Sequence, residues 1–71
     1  MSGHITSKVL MIRNKKMIEV HATAMYYNKT FVFPYDEAEQ AYKNHTSVID
    51  SWSPEMTHMN LQEIFSDKYG K

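Results

Sequence analysis

The 71-residue chain contains no cysteine. Disulfides, thiolate metal ligands and a cysteine nucleophile are therefore excluded. Glycine occurs only at Gly3 and Gly70, so no glycine-rich phosphate loop can be built. No apolar run reaches the ~20 residues that span a bilayer, and the opening MSGHITSK has no signal-peptide core, so a cytoplasmic location is the default expectation. Leu, Ile, Val and Phe make up only about a fifth of the residues, at the border of compositions that stay unfolded. Six Met, five Tyr and one Trp add apolar surface, and the formal net charge is zero. The composition describes one small, lean folded domain over residues 1–71, with 1–6 frayed, for which oligomerisation would bury more surface.

Charge is unevenly placed. Residues 1–34 carry five basic side chains against Glu19, and residues 35–71 carry seven acidic against three basic. Attraction between two layers explains this polarity, and a basic face toward an anionic partner is the alternative.

The stretch Met17 to Tyr35 reads as a hairpin. Asn28 tolerates positive φ, so a two-residue turn is expected at Asn28-Lys29. That register places Ala22, Ala24, Tyr26, Phe31, Phe33 and Tyr35 on one face, with small residues opposite rings. Tyr27 and the mixed set Met17, Glu19, His21, Thr23, Met25, Thr30 and Val32 then occupy the other. Ser7 to Arg13 is a further strand, because Val9-Leu10-Met11-Ile12 is continuously apolar. A two-residue loop at Asn14-Lys15 turns Val9 and Met11 to the Ile18/Val20 face, whereas a three-residue loop turns Leu10 and Ile12 there. Either way, one apolar pair points away from the core.

Helical periodicity follows. Asp36 with Glu39 has capping-box spacing, and Ala38, Ala41, Tyr42, His45, Val48, Ile49 and Trp52 form one stripe, predicting a helix over 36–52. The segment Asn44-His45-Thr46-Ser47 is poor in helix formers. Ser53-Pro54 is a restart, Asn60…Glu63 another, and Leu61, Ile64, Phe65 and Tyr69 predict a helix over 60–69 closed by Gly70. The expected fold is α+β: a three-stranded antiparallel β-meander, a long helix on its aromatic face, and a short C-terminal helix. Trp52, Tyr42 and Val48 should meet Phe31, Phe33 and Ala24.

The histidines His4, His21, His45 and His58 lack metal-ligand spacing, and no Ser or Thr has an activating motif. His21 beside Glu19 is the most site-like, although neighbours on one strand face pair without catalysis. The acidic group at 36–39 is explained by the helix dipole. No enzyme, metal or cofactor is expected, and no family's motif is matched; size and layout resemble those of small bacterial and phage accessory proteins. The expected function is non-catalytic protein–protein interaction, as a regulator or inhibitor of a larger intracellular machine. Its surface would be the outer sheet face of Leu10, Ile12, Met17, Met25 and Val32, met by another protein or a second copy; methionine suits adaptable contacts. The alternative is nucleic-acid binding through the basic loops Arg13, Lys15, Lys16 and Lys29, with Tyr27 to stack a base.

Overall fold

The computed structural model describes residues 3–69. The proposed fraying of Met1 and Ser2 and the closing role of Gly70 lie outside the described residues. Strands β1 (His4–Ile12), β2 (Lys15–Ala24) and β3 (Tyr27–Pro34) form an antiparallel sheet in the order β1-β2-β3. Helices α1 (Tyr35–Asn44) and α2 (Pro54–Tyr69) follow, completing the α+β fold. β1 begins three residues earlier than expected, with His4, Ile5 and Thr6 paired to Thr23, Ala22 and His21.

Both turns are displaced from their expected positions. The first is Arg13-Asn14, whose φ values of 52° and 65° mark a type I′ turn, the form that matches strand twist. Val9 therefore pairs with Ile18, and Leu10 with Met17. Val9 and Met11 share the Ile18/Val20 face, and Leu10 and Ile12 lie on the other. The second turn is Met25-Tyr26, not Asn28-Lys29, and it closes the Ala24–Tyr27 pair. Neither of its residues has positive φ, so the asparagine was not needed. The new register pairs Val20 with Phe31 and Ile18 with Phe33. The turn moves by three residues and the pairing therefore by six, an even number, so Phe31 and Phe33 keep their face. Tyr26 leaves the core face for the turn, where it is 96% exposed. Tyr27 changes to the side of Phe31 and Phe33, and Ala24 lies at the exposed far end, away from the core.

The core is Ile18, Val20, Phe33, Ala38, Tyr42, Trp52, Leu61 and Phe65. Trp52 meets Phe31 and Phe33 edge-on, at ring separations of 5.2 and 5.8 Å, and Val48 packs against the cluster half-buried. The helix expected over 36–52 stops at Asn44. His45 adopts the left-handed conformation, with φ of 56°, and Thr46 N–H donates to the Ala41 carbonyl at 3.0 Å. This helix-ending hydrogen bond falls in the segment poor in helix formers. Residues 46–53 continue without helix and still deliver Val48, Ile49 and Trp52 to the core. α2 starts at Pro54 and runs unbroken through Asn60; Ser53 Oγ accepts from Met56 N–H at 3.1 Å, the cap expected of it. Inside the helix junction, buried Thr57 accepts the Val48 N–H through its hydroxyl.

The anticipated Asp36/Glu39 capping box does not form. Pro34 precedes the helix with no side-chain cap, and Asp36 and Glu37 lie within the first turn. Glu39 instead accepts hydrogen bonds from Lys68 Nζ at 2.8 Å and from the Tyr69 hydroxyl, tying the end of α2 to α1. The Lys68 bond first, and then the Tyr69 bond, hold Glu39 below the usual carboxylate range, while both partners are pushed up. A lowered carboxylate stabilises the fold above its unfolded pKa and ceases to do so as pH falls through the folded value. Glu39→Gln is therefore expected to lower the melting temperature at neutral pH. The difference from wild type should close below about pH 4, as thermal scans at both pH values would show.

Candidate interaction surface

Both helices pack on the Ile18/Val20/Phe33 side, because the whole core cluster lies there. The opposite sheet face has no layer over it. Pairing builds it row by row: Ile12 beside Lys15, Leu10–Met17–Pro34, Lys8–Glu19–Val32, and Thr6–His21–Thr30. One end is thus apolar and the other polar. Leu10 and Met17 are half-buried by their neighbours; Ile12 and Val32 are exposed. Lys8 and Glu19 pair at 3.5 Å across the middle and largely cancel, which leaves Lys15 as the charge beside Ile12.

Four of the five expected surface residues, Leu10, Ile12, Met17 and Val32, are brought together. Met25 is not. It sits in the β2–β3 turn, eight residues along β2 from Met17 and so about 26 Å away. Its assignment to the patch followed from alternation extended past the true end of the strand. Pro34, paired with Met17, completes the patch in its place.

The nucleic-acid constellation separates. Arg13, Lys15 and Lys16 cluster at the β1–β2 turn, whereas Lys29 and Tyr27 lie toward the opposite end of the sheet, about 20 to 30 Å off. Lys16 lies on the helix side, 4.2 Å over the Tyr35 ring, and Lys29 lies over Phe31. The open face carries no Phe, Tyr or Trp, so it offers no stacking platform for bases.

The histidines take separate places. His21 Nε2 lies 2.8 Å from Asn28 Oδ1 on the open face, a partner that only the true register reveals. His45 leaves the expected apolar stripe to end α1 in an exposed position. His58, which the sequence did not single out, stacks on Tyr42 at 4.3 Å and lies 4.8 Å from His45, its buried Nδ1 without a partner. Among the described residues, no three of His, Cys, Asp and Glu are placed to hold a metal. A shallow, open groove runs along α1 past Asp36, Glu37, Gln40, Asn44 and Ser47. No described helix is long and apolar enough to cross a membrane. No family model matches the chain, and no curated protein and no solved structure is found similar to it.

Proposed function

We propose that this chain is a non-catalytic protein-interaction module, a small regulator or inhibitor that docks on a larger protein through its open sheet face. The observation that carries the reading is the one-sided placement of both helices, which leaves Leu10, Ile12, Met17, Val32 and Pro34 contiguous and without an internal partner. A sheet with one bare face ordinarily alternates polar residues there, and an apolar end rimmed by a charge pair is the composition of a docking patch. Met17 supplies an adaptable side chain at its centre.

Capture of binding proteins on immobilised chain tests the proposal. Val32→Asp and Ile12→Asp place a charge on exposed positions, so folding should persist by circular dichroism. Retention of a partner should fall at least ~10-fold for Val32→Asp, whose neighbour Glu19 is no counterion, and less for Ile12→Asp, which lies beside Lys15. Met25→Asp, at the far turn, should leave retention unchanged. A partner held equally by all three variants would remove the open face as the docking site.

A further inference from the structure

β1 has the residue pattern of an interior strand but lies on an edge. Its run Val9-Leu10-Met11-Ile12 is apolar on both faces, as in strands flanked and covered on every side. Yet Met11 is 62% exposed, Val9 42% and Ile12 40%. The other edge, β3, carries Lys29 and ends at Pro34, which has no N–H to offer.

The turn geometry tells which backbone groups of β1 are free. In a two-residue type I′ hairpin the flanking pair, here Ile12 and Lys15, exchanges both hydrogen bonds, and such pairs then alternate. Even-numbered β1 residues therefore bond to β2. The N–H and C=O groups of Ile5, Ser7, Val9 and Met11 point outward with no strand to meet them. Above this edge stands one flank of α2. Met56, Asn60 and Glu63 form a stripe at helical spacing, and Glu63 reaches Ser7 Oγ at 3.4 Å. Met56 is exposed on that stripe.

We propose that the free edge of β1 receives an extended segment of a partner protein as a fourth, antiparallel strand. The segment is apolar where it passes Val9 to Ile12. It is acidic at its N-terminal end, which antiparallel pairing places beside exposed Arg13 and Lys15. A second copy of the chain fits less well. Seven paired residues make a seam about 24 Å long and about 10 Å deep, roughly 250 Å² per partner, where a stable complex buries about 800 Å² on each side. A second β1 would also sit about 4.8 Å away, and α2 lies over β1 in each copy, whereas packed helices need 8–10 Å between axes. A lone strand has no such layer. The inference goes beyond the open-face reading and does not depend on it.

The test is an NMR titration of the full chain with a blocked synthetic nonapeptide, two glutamates followed by alternating valine and threonine. The amides of Ile5, Ser7, Val9 and Met11 should shift and become protected from exchange, while those of Thr6, Lys8 and Leu10 change little. Saturation is expected by about 1 mM, and lysines in place of the glutamates should weaken binding about 5-fold. Val9→Pro deletes one outward N–H and should abolish binding. Should that variant not fold, the alternating pattern in wild type still decides the matter. Val32→Asp should bind the peptide as wild type does, which separates edge from face. The proposal is overturned by absence of binding at that concentration, by shifts without alternation on the Leu10/Met17/Val32 face, or by a free chain of twice its mass whose edge amides are already protected.

Discussion

Phe65→Ala is expected to leave the chain largely unfolded at room temperature. The ring is fully buried and lies 5.3 Å from both Tyr35 and Tyr42, where strand end, α1 and α2 converge. Removing a buried phenylalanine costs about 3–5 kcal/mol through lost transfer energy and the cavity left behind. A single core in a chain this short supplies about that much in total. Neighbours cannot close the gap, since Leu61 in the same helix face is already fully buried. Urea titration followed at 222 nm should give no folded baseline for the alanine variant. Phe65→Leu, which keeps most of the volume, should cost about 1 kcal/mol and retain a cooperative transition. An alanine variant that stays folded with an unchanged midpoint would show that α2 is not part of the cooperative core.

Trp52→Ala should rank next, at about 3 kcal/mol, the low end of the range, because the loop that holds it can relax and the rest of the fold persists in part. It removes the sole tryptophan and both edge-on ring contacts, each worth about 0.5–1.5 kcal/mol beyond the area buried. The location differs in kind from that of Phe65. Trp52 anchors an irregular segment whose other attachments are the half-buried Val48 and Ile49 and the hydrogen bond from Val48 N–H to Thr57 Oγ1. Its loss should therefore free residues 46–53 first, raising their amide exchange before that of β2. Trp52→Phe should recover more than half the loss. Equal exchange rates in residues 46–53 of wild type and the alanine variant would show that the segment is held by other means.

Much of this architecture is legible in the residues themselves. Continuous apolar character at 9–12, aromatic alternation at 31–33, and Ser53-Pro54 as a restart each correspond to an element of the fold. The face assignment of β3 survives a wrong turn because side chains repeat every two residues and a three-residue shift of the turn moves the pairing by six. What periodicity does not carry is the conformation between its marks. Val48, Ile49 and Trp52 sit at helical spacing from Tyr42, yet a loop delivers them, because burial requires only that the side chains arrive. The turn at Met25-Tyr26 left no trace of its own, since neither residue needs the positive φ that Gly or Asn would signal. Alternation extended past this turn misplaces Met25, whereas Leu10, Ile12, Met17 and Val32 all fall within strands, Ile12 as the last residue of β1. The free backbone edge of β1 could not be read at all before the register was known.

The position of α2 over β1 also bears on how the molecule is made. α2 closes over β1, so the meander has no completed core until Leu61 and Phe65 join Ile18, Val20 and Phe33. A β-ribbon gains stability from burying its hydrophobic face, here by packing against a helix. Folding should therefore wait on the non-local contact between β1 and α2: docking of α2 converts a transient ribbon with a bare apolar edge into a domain in one step.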